Sequence, residues 1–585
     1  MKNKKKILIT FVIAIIAIII TLVIINIVNK NRRNYKIEEI TNFNYYTIIE
    51  DGKTGVIDTK GNVLIKPNYN TIKIPNPQKP IFVCIYDYDS STGNYKTKVL
   101  NDKNEELFSE YEQVESIQIK EIVSSTPYEK SVLRFKKDNK YGLINFEGKV
   151  IVDAIYDEIS NMSYKEGELL VKKDDKYGVI NIKGVKLVDI KYDKITGDNY
   201  YTEKDKYKLG GYIVGNKTDE GYRYGYINYE GKKVLNIEYN DIYRMTDIED
   251  DNNAYLVAEK SGQAGLLKNN KVMLNYDYQS IEYDKLNKVF VVEKNKKFGV
   301  VDIDANIILQ PEYDDITIQG IYIYAQKNDE AVVFDIKGNK QEEPNYKNIA
   351  PTKDGDYYIT IDKNNKYGVE DKNNKEIIPN EYIYIEYAFD KYFIVCGEDN
   401  KLGLINSNNE IVIDLQYDIV QKLEDANIIQ TGKIDSNTLE LYDSSIKKLI
   451  SLENGKIYQG NDYIKVYSDN TSRYFKFDGT EVKNTDVFQN NVLFAKEENQ
   501  KWGFVDKNGN KKVDFIYDKV TEFNEYGFAG IRVGEKWGVI NSEGTVIEEP
   551  KYTFSNQIIE PSFIGSYYKV VSGYGEIYYS NEIQE

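Results

Sequence analysis

The sequence predicts an all-β fold: a tandem array of about fourteen short antiparallel β units behind one N-terminal transmembrane helix. Three observations predict it. A glycine, mostly behind an aromatic residue, recurs along the 585 residues, and a tyrosine follows it at a nearly fixed interval. An Asp or Asn stands three residues after most of these glycines, and a Gly or Asn three further on. The segment Ile7 to Val28 is almost wholly apolar.

Residues 1–6 form a basic tail, with Lys2, Lys4, Lys5 and Lys6. Residues 7–28 are interrupted only by Thr10, Thr21 and Asn26, and at about 1.5 Å per residue such a helix crosses a hydrocarbon core. The run ends in Asn29-Lys30-Asn31-Arg32-Arg33 without a small-residue cleavage site, so an uncleaved signal anchor is expected. The positive-inside bias is weak, with four lysines before the span and three bases just after it. Long downstream domains cross regardless of charge, so the expected orientation is N-terminus in and array outside the cytoplasmic membrane. Residues 29–40 read as a polar stalk.

The array occupies 41–560. Its signature pairs Gly55 with Tyr69, Gly142 with Tyr156, Gly178 with Tyr192, Gly225 with Tyr239 and Gly299 with Tyr313. It continues with Gly368 and Tyr382, Gly403 and Tyr417, Trp502-Gly503 and Tyr517, and Trp537-Gly538 and Tyr552. The interval is 14 in each of these and 13 from Gly265 to Tyr278. A fixed core with variable connectors describes a rigid hairpin joined by surface loops. Asp58 with Gly61, Asn145 with Gly148 and Asp506 with Gly509 read as type I turns closed by a left-handed residue. Strands flank each turn, giving about three per unit. Pro67, Pro311, Pro344 and Pro550 fall two places before a Tyr position and are expected to end the third strand. The Tyr and the Ile or Val three residues later, as in Tyr156 and Ile159, are expected to plug the seam to the next unit. The glycine is expected to let a ring lie against the backbone.

Units near 440 and 473 lack both the Lys-aromatic-Gly and the following Tyr, which marks a joint or drift near 430–490. Residues 561–585 read as a capping segment. Units of 35–40 residues suit propeller blades or an open superhelix, and the variable connectors tilt the expectation toward an open or partly closed array.

Lys140-Tyr141-Gly142-Leu143-Ile144-Asn145 with Gly148 and Tyr156-Asp157-Glu158-Ile159 resembles the bacterial WG-repeat family, also written KWG-type. Lys501-Trp502-Gly503-Phe504-Val505-Asp506 with Gly509 and Tyr517-Asp518-Lys519-Val520 repeats the signature. The namesake tryptophan survives only at Trp502 and Trp537. The resemblance implies a β-rich repeat, often on envelope proteins, with no established catalytic residues.

The chemistry is sparse. There is no His, which removes the commonest general base and transition-metal ligand. Cys84 and Cys396 lie in apolar strand-like runs and read as buried thiols. Residues 1–36 hold eight bases and no acid, leaving 69 bases against 93 acids elsewhere, a net of −24. So acidic a body is a poor partner for nucleic acid. Turns such as Asp506-Lys507-Asn508-Gly509-Asn510 resemble calcium loops but lack the terminal Glu and carry a Lys. Phosphate-binding glycine loops are missing too. No catalytic, cofactor or metal residue is singled out, and no enzyme activity is expected. Tyrosines outside the pattern are candidates for stacking on sugars or gripping a protein: Tyr86, Tyr88, Tyr200, Tyr201, Tyr322, Tyr324, Tyr567 and Tyr568. Decoration of exposed strands is the plainer alternative. The expected function is a membrane-anchored binding or scaffold protein engaging an envelope polymer or surface protein. A cell-wall glycan hydrolase and a cytoplasm-facing adaptor are the alternatives.

Overall fold

The computed structural model describes residues 40–119, 127–162, 166–202, 206–245, 255–328, 330–342, 346–352, 355–371, 375–423, 426–460, 463–468, 471–554, 561–572 and 575–579. The expected anchor at 7–28, the basic tail and all but the last residue of the stalk lie outside them. Among the described residues no helix is long and apolar enough to cross a membrane.

The described residues form fourteen antiparallel sheets, numbered here in chain order. Twelve have four strands that follow one another in sequence, as neighbouring propeller-like blades do. Sheet 1 is composite. Its strands Tyr45–Glu50, Lys53–Asp58 and Val63–Tyr69 are joined by Phe563–Ile564, Tyr567–Ser572 and Gly575–Tyr579, because Tyr45–Glu50 pairs in parallel with Gly575–Tyr579. The C-terminal segment is therefore part of the first sheet rather than a separate cap. The series of described sheets thus ends in the sheet where it begins. Two compact units divide between Ile281 and Glu282, with Pro561–Glu585 belonging to the first. The worn stretch near 430–490 supplies sheets 11 and 12, in full four-strand form.

The fixed interval is a register. In sheet 13 (Leu493–Glu498, Lys501–Asp506, Lys511–Tyr517) Trp502 faces Tyr517, and Phe504 faces Val513. Three residues, Asp514 to Ile516, thus oppose the single Gly503, which makes a bulge in the outer strand. A Cβ on Gly503 would stand 2.6 Å from the Val513 carbonyl oxygen. The same carbonyl, ten residues on, crowds Gly55, Gly299, Gly368, Gly403 and Gly538. The close neighbour is therefore mostly backbone, not a ring. Rings of Phe135 and Tyr276 fill that role only at Gly142 and Gly265. Pro67, Pro311 and Pro550 sit at the middle of the bulge inside strands Val63–Tyr69, Ile307–Tyr313 and Val546–Tyr552. They do not end the strand, because a bulged edge residue needs no ladder N–H.

The exception at Gly265 has a simple cause. Its outer hairpin turns on Asn269 and Asn270, both at positive φ (50° and 64°), the signature of a two-residue turn. Elsewhere the loop is one residue longer: Asn145 N–H donates to Lys149 O, Gly148 N–H to Asn145 O, and Gly148 has φ 83°. The Asp or Asn that opens such a turn caps it. Asp506 Oδ1 accepts from the Asn508 and Asn510 amides, and its Oδ2 from Asn510 Nδ2, so both oxygens serve the turn.

Among the described residues, the segment after each signature Tyr except Tyr552 is an inner fourth strand, not a bare link. Glu158–Asn161 pairs with Glu168–Lys173 and carries Ile159 into sheet 4. There Ile159 packs with Leu169, Val171 and Ile180 against Leu143 and Tyr156 of sheet 3. Other clusters repeat this geometry, each joining consecutive sheets within a unit. One sheet cannot bury its apolar face alone, and the neighbour covers it.

A polar staple reinforces five of these seams. Asp157 accepts from Lys140 Nζ of its own sheet and from the Asp174 amide at the next sheet's hairpin. Asp193 takes Lys176 and the Lys217 amide, and Asp314 takes Lys297 and the Asn328 amide. Asp418 takes Lys401 and the Ile434 amide, and Asp518 takes Lys501 and the Gly534 amide. The Lys ammonium first, and the amide second, hold all five carboxyls below their ordinary range. A depressed folded pKa contributes stability above the unfolded value and loses it as pH falls through the folded one. Acid titration below the usual carboxylate range therefore lowers the urea midpoint, and changing all five Asp to Asn flattens that acid limb. Any one exposed staple contributes little by itself.

Candidate functional site

The repeat residues themselves are structural. Tyr156, Tyr192, Tyr239, Tyr313, Tyr417, Tyr517 and Tyr552 are buried, while Tyr69, Tyr278 and Tyr382 are half-buried. The tyrosines outside the pattern do not form one surface. Tyr567 and Tyr568 are in the core, the latter 1% exposed. Tyr86 packs edge-on against Tyr69 at 6.5 Å, with the Lys98 ammonium over both rings. Tyr200 lies under the Arg244 guanidinium at 4.2 Å. Tyr322 and Tyr324 are half-buried on one strand, and Tyr88 is the exposed one at 54%. The Tyr201 side chain lies outside the described residues. Cys84 is buried, its thiol pushed up to about 12 by desolvation, and Cys396 is half-buried; both are free.

Two buried polar groups in the first unit hold the seams. Asp198 accepts from Arg244 Nε (2.7 Å) and Nη2 (2.6 Å) and from the Tyr226 hydroxyl (2.6 Å), with side-chain exposures of 1% for Asp198 and 7% for Arg244. Glu129 is 1% exposed and accepts from Asn161 Nδ2 at 3.0 Å and from the Gly167 amide. Burial pushes its carboxyl up to about 8, with Glu166 adding to the effect and Lys130 opposing it. The folded state then holds a proton that the unfolded state releases, so stability falls as pH rises from the ordinary carboxylate range to about 8. Glu129→Gln keeps an acceptor for Asn161 and Gly167. It is expected to remove a slope of up to about 1.4 kcal/mol per pH unit, read from urea midpoints across that range.

A cavity of about 590 Å³ lies between sheet 12 (Lys456–Gln459, Tyr463–Ser468, Thr471–Lys476, Glu481–Val482) and sheet 13. It opens where the repeat is interrupted. Sheet 13 has only three strands, and a short helix, Asn484–Val487, stands where other sheets carry the inner strand. Side chains replace part of that strand's hydrogen bonding. Glu522 Oε2 accepts the Ala495 amide at 3.2 Å, and Asn484 Nδ2 donates to the Ala495 carbonyl at 3.2 Å and to Glu522 Oε1 at 2.9 Å. Trp502 lines the cavity while its other contacts are with the core of sheets 13 and 14. Arg473 and Glu481 face each other in a two-point pair at 2.7 and 2.6 Å, and Lys483, Lys496, Glu497 and Glu498 complete a wall of both signs. Desolvation raises the Glu497 carboxyl. Sequence reading missed this site. The signal for it was the wear near 473, where no Tyr follows and the next inner strand fails to form.

The profile of the WG containing repeat matches residues 55–75, 141–177, 224–247, 298–329, 403–424 and 502–537. Residues 425–501, including most of the cavity wall, lie between matched segments. No curated protein matches the chain. Among solved structures it is similar to "the eukaryotic initiation factor" at 10% identity and a TM-score of 0.25, covering 56% of this chain and 97% of that one. It is also similar to Kluyveromyces lactis Hsv2p at 10% identity and a TM-score of 0.19, covering 46% of this chain and 96% of that one. No functional conclusion follows from such distant likenesses. The chain therefore carries WG containing repeats: six matched segments, each set on the same glycine-opposite-bulge register.

Proposed function

We propose that the chain is a membrane-anchored binding or scaffold protein that catalyses no reaction itself. Residues 7–28 serve as the anchor, the repeats are displayed outside the cytoplasmic membrane, and the surface engages an envelope polymer or a protein. The observation that carries this reading is the division of labour in the array. Most repeat residues are spent on register and seams, and most of the cavity wall, Trp502 and Glu522 excepted, is built from residues outside the matched repeats. A long serial surface suits many weak contacts.

Protease shaving of intact cells tests the placement: loss of the array from full-length protein is expected, and survival until lysis would place it inside. Retention of envelope polymer or surface proteins by the detergent-solubilised full chain tests the binding role.

A glycan hydrolase is the second reading, because Glu497 and Glu522 line one cavity and glycoside hydrolysis uses a carboxylate pair. Glu522 is already committed to Ala495 and Asn484, which favours binding over turnover. Release of reducing sugar that Glu497→Gln abolishes would reverse that preference.

A further inference from the structure

We infer that the cavity between sheets 12 and 13 is a saccharide site in which a sugar ring stacks on Trp502. The inference rests on the binding reading above and gives it a place and a ligand class. Three features of the wall select the ligand. Trp502 is half-buried and lines the half-open cavity, and an indole is a flat apolar group that the C–H face of a pyranose ring matches and a flexible aliphatic chain does not. Around it stand donors and acceptors of both signs: Lys483 and Lys496 against Glu497 and Glu498, with Arg473 and Glu481 already neutralising each other. A phosphate or polyanion would meet the glutamates, and a polycation the lysines and arginine. Hydroxyls, which donate and accept, satisfy both. The volume of about 590 Å³ lies within the range of small-molecule sites and accommodates a short oligosaccharide segment.

An extended peptide is the competing occupant, because a three-stranded sheet invites a fourth strand. The edge is closed to it at a key position. Both the amide and the carbonyl of Ala495 are taken, by Glu522 and Asn484, so an incoming strand has no continuous ladder. The geometry therefore favours recognition by side chains.

The composition supplies a direct reporter. Trp502 and Trp537 are the only two tryptophans, and Trp537 is buried in sheet 14. In full-length Trp537→Phe protein in detergent, the emission is that of Trp502 alone. Titration with cellotriose, maltotriose and chitotriose is expected to shift it saturably in the millimolar range or below for at least one of them. An oligogalacturonate, a chitosan oligomer and an unrelated decapeptide are expected to leave it unchanged. In otherwise wild-type protein, Trp502→Phe is expected to weaken retention on the matching polysaccharide roughly ten-fold while the circular dichroism spectrum stays that of the folded protein. No saturable shift with any neutral sugar, a response to the peptide instead, or equal retention by Trp502→Phe would overturn the site. If full-length protein holds envelope polymer while Trp502→Phe holds it equally, the site falls and the binding reading stands. If full-length protein holds neither polymer nor surface protein, the binding reading falls as well.

Discussion

Arg244→Ala lowers the stability of the first unit by about 3–5 kcal/mol, the loss expected when one partner of a buried ion pair is removed. Asp198, 3% exposed in the intact chain, loses its two-point partner, and the Tyr226 hydroxyl alone cannot offset its desolvation. The two residues join sheets 5 and 6, and Gly210 makes room for the guanidinium: a Cβ there would stand 2.2 Å from Arg244 Nη2. Arg244→Lys keeps the charge but loses the planar fork and the stacking on Tyr200, so it is expected to recover only part of the loss. Chemical denaturation followed by circular dichroism reads both variants. A change below about 1 kcal/mol for Arg244→Ala would mean that the pair is solvated rather than buried.

Gly299→Ala has the second large effect. The new methyl group would meet the Leu309 carbonyl oxygen and the Pro311 nitrogen at 2.7 Å each, and both belong to backbone that cannot step aside without undoing the bulge. A cost of about 2–3 kcal/mol is expected, the upper part of the overpacking range. Gly509→Ala is the contrast. Its Cβ meets nothing within 4 Å, and only the left-handed φ of 81° opposes it, so about 1 kcal/mol is expected. Equal losses at the two positions would show that the bulge is not the reason for the repeat glycine.

The sequence displayed the register before its meaning. The interval from Gly503 to Tyr517 is the distance along the chain that brings Trp502 opposite Tyr517 across two strands, a turn and a bulge. The turn was legible because Asp506 and Gly509 have narrow conformational roles. The inner strand was not. Glu158–Asn161 is four residues long, follows its Tyr directly and looks like a connector, since a strand that short carries little periodicity. The prolines misled for a related reason: they mark edge-strand bulges, and a bulge has no signal of its own in a single sequence. Asp198 and Arg244 lie 46 residues apart and outside the repeat signature, so only the fold brings them together. The cavity was legible as an irregularity and illegible as a site. Loss of the Tyr after residue 473 signals a missing seam, whereas the meeting of Trp502, Glu497 and Lys483 in one cavity wall depends on where the helix Asn484–Val487 falls.

The central claim is that twelve of the fourteen described sheets are each built from four successive strands and packed against a neighbour within their unit, while the first sheet is completed by the C-terminal strands. Amide hydrogen exchange of full-length protein, followed by mass spectrometry, tests it most directly. Slow exchange is expected in the strands of every sheet, fast exchange at each turn of the Asn145–Lys149 kind, and protection of Gly575–Tyr579 together with the Thr47–Ile49 edge that faces it, the latter lost when residues 575–585 are removed. Fast exchange through Gly575–Tyr579 in the intact chain, or protection of the Thr47–Ile49 edge that survives the truncation, would contradict it.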